Sequence, residues 1–155
     1  MVRASVNGRG AELVETVRRT PGVSLREVFS RAAEGLPGPE DHRGEVVAEA
    51  LGYLQEEFGA HYATGAATDD AILVGDHAYA WAVETIARLD EPRFVGVASR
   101  MIRDGAGEIS RGGSVSAEFW VSHLAQLLGI ISDEDEERSE ERIRVAIGEV
   151  ARAGR

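Results

Sequence analysis

The sequence predicts an all-α fold, a bundle of six or seven helices around a buried central helix at about residues 69–89. Apolar residues recur at spacings of three and four along most of the 155 residues, which is the period of an amphipathic helix. Alternation with period two, the pattern of a half-buried strand, is not sustained anywhere. Residues 69–89 are apolar on almost every side, and a helix of that kind is normally buried. A chain of this length is expected to form one domain.

The N-terminal part of the chain is predicted to form a short helical pair at residues 1–36. Its first helix covers residues 11–19. The second begins at a Ser-Leu-Arg-Glu capping box that opens with Ser24, and it ends before Gly35. A Leu-Pro-Gly-Pro linker then separates this pair from a main bundle at residues 40–155. Both parts belong to the same single domain.

The main bundle is predicted to contain five helices, which begin at residues 40, 69, 92, 116 and 132. Thr68 caps the helix at residues 69–89, whose first turn carries acids that suit the positive end of the helix dipole. The following helix ends at about Arg103 in a glycine-rich turn. Ser116 caps the next helix, and Ser132 opens a second capping box for the last one.

Composition restricts the function. The net charge is −10, and all 17 basic residues are arginine. An acidic chain without lysine is typical of halophilic proteins or of high-GC genomes, and the lack of a basic face argues against nucleic-acid binding. The absence of cysteine excludes disulfides and thiolate catalysis and fits a reducing cytoplasm. The sequence shows neither a signal peptide nor an uninterrupted membrane span, so we expect a cytoplasmic protein.

Residues 71–76, Ala-Ile-Leu-Val-Gly-Asp, resemble the A-I-L-x-G-D signature that opens a central helix in trans-isoprenyl (polyprenyl) diphosphate synthases. Further matches lie on both sides: the Asp-Glu-Pro-Arg turn at residues 90–93, the Gly-Glu pair at residues 107–108, and His61 followed by the paired acids at residues 69–70. The resemblance covers the middle of the chain and implies part of the isoprenoid synthase fold.

The catalytic apparatus of that family is not visible in the sequence. Family members hold Mg²⁺ and diphosphate through aspartates four residues apart on facing helices, because oxygen ligands on one helix face suit this ion. Leu73 occupies the position where the first motif needs an acid, and a chain without lysine lacks the family's diphosphate clamp. The resemblance therefore implies a non-catalytic protein without a cofactor, either an accessory or regulatory subunit of a full-length prenyl synthase or a binder of an apolar ligand.

Asp69, Asp70 and Asp76 are candidate metal ligands. If they bind Mg²⁺, the chain is a divergent Mg²⁺-dependent diphosphate-processing enzyme. The first two acids can instead be first-turn residues that meet the helix dipole. Because a charge inside an apolar helix needs a partner, Asp76 can instead be a buried acid. Its partner would then be an arginine or one of two further buried polar residues, His61 and His77.

Small residues in the same helix predict a close helix contact. Gly75, Ala78 and Ala82 lie on adjoining turns, which fits either packing within the chain or a symmetric dimer interface flanked by Tyr79 and Trp81. The resemblance favours a homodimer, since the prenyl synthases are helical dimers. A further interpretation is a helical homodimerisation module unrelated to isoprenoids.

Arg100, Arg103 and Arg111 surround the glycine-rich turn. Their guanidinium groups are candidates for an anion-binding site, although such residues equally form a solvated helix face. No nucleophile, histidine and acid stand at a catalytic spacing, and the degenerate prenyltransferase motifs favour a protein without enzyme activity over the divergent Mg²⁺-dependent enzyme.

Overall fold

The computed structural model describes residues 22–36, 42–62 and 69–154. These residues form helices and no strands, so the predicted all-α class is confirmed. The helices are α1 Leu25–Ala33, α2 Arg43–Tyr62, α3 Asp69–Ala87, α4 Pro92–Ser110, α5 Ala117–Ser132 and α6 Glu136–Ala153. None of these helices is long and apolar enough to cross a membrane. The predicted helix at residues 11–19, most of the Leu-Pro-Gly-Pro linker and the Thr68 cap lie outside the described residues.

The helix ends follow local capping chemistry. Ser24 and Ser116 cap α1 and α5 as predicted, because each hydroxyl accepts a hydrogen bond from the amide three residues later, at 3.2 and 3.4 Å. The cap of α6 is Asp135, whose carboxylate accepts from the amide three residues later at 2.9 Å. The prediction that Ser132 caps this helix was wrong, because α5 continues through Ser132.

α4 extends beyond the predicted end at Arg103 and runs through Gly105 to Ser110. Glycine has a low helix propensity, and the sequence therefore predicted a turn here. In the fold Gly105 is buried between rings of α2 and α5, so tertiary packing holds it in the helix. The chain leaves the helix at Gly112, whose φ of +80° lies in the left-handed region.

The core is built mainly on α2 and α5. Each of them packs against four other described helices, and their buried side chains form one cluster with those of α1, α4 and α6 and with Ala82 and Ile86 of α3. α1 contributes Leu25, Val28, Phe29 and Ala32 to this cluster. The described half of the predicted N-terminal pair therefore shares its core with the main bundle.

α3 lies at the edge of the bundle, and the prediction that it is a buried central helix was wrong. It packs against α2 and α4 only, among the described helices. Among the described side chains of α3, the buried residues form one stripe at spacings of three and four: Gly75, Ala78, Ala82, Thr85 and Ile86. This stripe of mostly small residues suits close contact with α2 while burying little apolar area. The apolar residues on the opposite face remain exposed. The apolar composition of the helix therefore predicted more burial than the structure shows.

Candidate binding groove on α2 and α3

An open groove of about 560 Å³ lies between α2 and α3, and we call it the α2–α3 groove. Its described lining consists of Tyr53, Glu56, Leu73, His77, Ala78 and Trp81. Leu73, His77 and Trp81 are spaced four residues apart on α3, so they form one row along the helix. Leu73 is 66% exposed and Trp81 is 39% exposed. The groove therefore presents apolar side chains to solvent.

Three aromatic rings pack against one another along one wall of the groove. The rings of Tyr53 and Trp81 stack with centroids 6.2 Å apart and an interplanar angle of 29°. His77 meets Trp81 edge-on at 5.8 Å. Both geometries are favourable for aromatic pairs, and together they hold the indole in place in the free protein. The Trp81 side chain therefore loses little conformational entropy when a ligand covers it, which favours binding.

The surroundings of the groove are acidic. Glu56 lies in the lining, and α3 carries two further exposed acids, Asp76 and Glu84. Glu84 forms a salt bridge with Arg88 at 3.6 Å. Exposed apolar residues on a strongly charged surface mark interaction sites. This combination suits a ligand with an apolar face and positive charge.

The residues predicted as metal ligands or buried polar groups have a different environment. Asp69, Asp76 and His77 are exposed on α3, so the prediction that Asp76 and His77 are buried was wrong. The side chains of His61 and Asp70 lie outside the described residues. Within the described ranges, no group of three His, Cys, Asp or Glu residues is placed to hold a metal ion. Mg²⁺ binding by the three acids stays a prediction.

The residues predicted for a dimer interface separate into two groups. Gly75, Ala78 and Ala82 are buried within one chain, so packing within the chain accounts for the small-residue stripe. They are not available to a second copy, and this part of the predicted interface was wrong. Tyr79 and Trp81 are exposed and remain accessible to a partner. The homodimer itself stays a prediction.

Two of the three arginines predicted to bind an anion line one depression. Arg103 and Arg111 border an opening of about 490 Å³ between α4 and α5, whereas Arg100 hydrogen-bonds to a glutamine of α5 at 2.8 Å. Arg103 pairs with Asp104 at 3.3 Å, and Arg111 pairs with Glu108 at 3.1 Å. Because these acids balance the positive charges, the geometry gives no particular support to an anion site.

The same depression holds a histidine–aspartate pair. His123 Nε2 donates to Asp104 Oδ2 at 2.8 Å, which links α5 to α4. This hydrogen bond, reinforced by one from Arg103, holds the pKa of Asp104 below its ordinary value. His123 Nδ1 is buried and has no hydrogen-bond partner among the described residues. Since a substrate cannot reach that nitrogen, the geometry favours a linking role over a general base.

We expect Asp104→Asn to lower stability near neutral pH and to have little effect in strong acid. A carboxylate with a lower pKa in the folded chain stabilises the fold above its unfolded pKa, and this contribution disappears as the pH falls through the folded value. The loss therefore begins near the ordinary pKa of 3.8 and continues below it. Solvent screens this partly exposed carboxylate, so we expect a difference below about 1 kcal/mol.

Urea unfolding of the wild type and Asp104→Asn between about pH 2.5 and 6 measures this difference. The two stability profiles should converge toward the acid end. Profiles that stay parallel over the whole range would contradict the linkage.

Tyr53, Glu56 and the His123–Asp104 pair were missed in the sequence. Tyr53 lies off the apolar stripe of its helix, and an aromatic residue in that position is a signal that could have drawn attention to it. The histidine and aspartate are nineteen residues apart on separate helices, so no local pattern connects them.

No protein-family model, curated protein or solved structure matches this chain. The relation to prenyl diphosphate synthases therefore depends on the short motifs around residues 71–76 and stays a prediction.

Proposed function

We propose that this chain is a non-catalytic helical binding module, whose α2–α3 groove holds an amphipathic, positively charged helix of a partner protein. The observation that carries the proposal is the exposed row of Leu73, His77 and Trp81, held beside Tyr53 on the neighbouring helix. The proposal keeps the accessory-subunit part of the sequence interpretation.

The geometry of the row favours a helix as the ligand. From Leu73 to Trp81 the row spans eight residues, or roughly 12 Å along the helix axis. A helix docked in a groove presents anchors at positions i, i+3, i+4 and i+7 over a similar length. The open shape of the groove also suits a segment that lies along its surface.

The charge of the groove favours a basic ligand. An arginine of the partner can pair with Glu56 and stack on the exposed face of Trp81. A second copy of the chain would instead bring another Glu56 toward the first, and like charges disfavour that contact. We therefore favour a basic partner over a homodimer at this surface.

A synthetic helical peptide with a leucine row flanked by arginines is expected to bind the full chain and to shift the fluorescence emission of Trp81 to shorter wavelength. Trp120 is already buried, at 3% exposure, so the change reports Trp81. Leu73→Ser should weaken binding at least about tenfold, because it removes an apolar contact worth more than about 1.4 kcal/mol. Fluorescence titration gives the dissociation constants.

Val145→Ser provides the matched control, since Val145 is 55% exposed on α6 and lies outside the groove lining. It should bind the peptide like the wild type. A second control peptide with glutamates in place of the arginines should bind more weakly. The proposal fails if the arginine peptide produces no saturable shift, or if Leu73→Ser binds it as tightly as Val145→Ser.

A further inference from the structure

We infer that the α2–α3 groove selects an N-methylated lysine of its partner helix, whose ammonium group lies against the rings of Tyr53, His77 and Trp81. The inference rests on the proposed function and names the cationic group that the groove prefers. Three features support it: the placement of the rings and of one acid on facing helices, the angles between the rings, and the small number of hydrogen-bond acceptors in the described lining.

The rings and the acid come from two facing helices. Tyr53 and Glu56 are three residues apart on α2, so they share one face of that helix. His77 and Trp81 are four residues apart on α3 and share one face in the same way. All four residues line the α2–α3 groove. Three aromatic rings and one carboxylate therefore border the same opening.

The planes of the three rings are inclined to one another. The ring planes of Tyr53 and Trp81 make an angle of 29°, and those of His77 and Trp81 make an angle of 62°. Rings in different planes can contact a rounded cation from more than one side, as in the aromatic cages that recognise methylated lysine. Tryptophan is the best ring type for this interaction, and Trp81 is 39% exposed, so a ligand can reach it.

Two carboxylates give this part of the groove a negative charge. Glu56 is exposed in the lining. Glu49 accepts a hydrogen bond from the Tyr53 hydroxyl at 3.4 Å, which places a second acid next to the same ring. Negative charge beside exposed aromatic rings attracts a cation in two ways, through the charge itself and through the ring quadrupole.

The lining favours a cation without N–H groups. A lysine ammonium group has three N–H donors and an arginine guanidinium group has five. Donors that turn toward the rings lose their water, and a donor left without an acceptor costs free energy. Glu56 is the one carboxylate in the described lining, and it cannot satisfy all of these donors. A trimethylammonium group keeps the positive charge and has no N–H donor to satisfy, so the groove should prefer trimethyllysine.

Four versions of the arginine-flanked leucine-row peptide test this preference. They differ at one position beside the leucine row, which carries trimethyllysine, lysine, arginine or the neutral tert-butyl isostere of trimethyllysine. Each peptide carries a fluorescent label, and fluorescence anisotropy with the full chain gives the dissociation constants. The trimethyllysine peptide should bind at least about fivefold more tightly than each of the other three.

A pair of matched variants tests the role of the indole ring. Trp81→Leu keeps an apolar side chain without the ring, and it should reduce the preference for trimethyllysine over lysine to less than about twofold. Tyr79→Leu is the control, because Tyr79 is an aromatic residue of the same helix with a similar exposure of 42% and lies outside the described lining. It should keep the wild-type preference. Circular dichroism checks that both variants stay folded, and Trp81→Phe, which retains a ring, should show an intermediate preference.

Several outcomes would overturn the inference. Lysine or arginine peptides that bind as tightly as the trimethyllysine peptide overturn it, and so does a full preference in Trp81→Leu. An isostere that binds as tightly as trimethyllysine also overturns it, because apolar size would then replace charge as the cause. Tetramethylammonium should compete only far above the concentration at which the peptide binds. Competition at equal concentration would identify a free quaternary ammonium compound as the ligand and overturn the assignment to a partner's lysine.

The same titrations separate this inference from the proposed function. If the four peptides bind saturably with equal affinity, the selection of methylated lysine fails while the binding function stands. If none of them binds saturably, the proposed function fails, and this inference fails with it.

Discussion

Gly105→Ala is expected to lower the free energy of unfolding by about 2 kcal/mol. A Cβ atom at this position would lie 2.6 Å from Phe58 Cζ and 2.6 Å from Trp120 Cη2. The two rings are buried and pack against each other with centroids 5.2 Å apart, so neither can retreat freely. The overpacking cost therefore outweighs the gain of up to about 1 kcal/mol that alanine has over glycine within a helix.

Gly59→Ala is the matched control for this substitution. Gly59 is an exposed residue of α2, next to Phe58, and an added Cβ would meet no described atom within 4 Å. The same chemical change should therefore raise stability by about 0.5–1 kcal/mol. Urea unfolding followed by circular dichroism measures both variants. A stability at Gly105→Ala equal to or above the wild type would show that the two rings tolerate the extra atom.

Phe29→Ala is expected to have a still larger effect, a loss of about 4 kcal/mol. Phe29 is completely buried in the core cluster, and α1 packs against α2, α5 and α6. Removing the ring loses its apolar burial and leaves a cavity where three neighbouring helices meet. A loss of this size is a large fraction of the stability of an ordinary domain.

The shape of the unfolding transition tests whether α1 belongs to the common core. If it does, Phe29→Ala shifts one cooperative transition, and circular dichroism and tryptophan fluorescence report the same midpoint. If α1 unfolded as a separate unit, the main transition would keep its wild-type midpoint. That second outcome would contradict the shared core.

The existence of the described helices could be predicted because each has its own local signals. Ser24 and Ser116 are caps in both the sequence pattern and the structure. The end of α4 could not be predicted in this way. The helix continues through Gly105 only because distant residues of α2 and α5 enclose that glycine, and the sequence around it resembles an ordinary turn.

The buried face of α3 could not be predicted from the sequence of the helix either. Its sequence is apolar in nearly every direction, and the choice of face depends on which neighbours the fold supplies. Gly75, Ala78 and Ala82 were recognised as a close-contact stripe, while the contact itself proved to lie within one chain. For the groove, the sequence identified Trp81 as a contact residue. Its stacking partner Tyr53 lies on another helix, and no local sequence pattern connects the two residues.

The peripheral position of α3 has a consequence for its motion. Alanine and glycine supply most of its buried stripe, and each contributes about one methyl group of burial or less. Ile86 anchors the C-terminal end of the helix in the core, whereas separation of the part around Gly75 and Ala78 exposes little apolar surface. The backbone amides of that part should therefore exchange with solvent through local opening, well before the core unfolds. A ligand that covers Leu73 and Trp81 adds the burial that this helix lacks. If the proposed binding function holds, a ligand would raise the protection of α3 toward that of the core, and binding would also be the last step in ordering this helix.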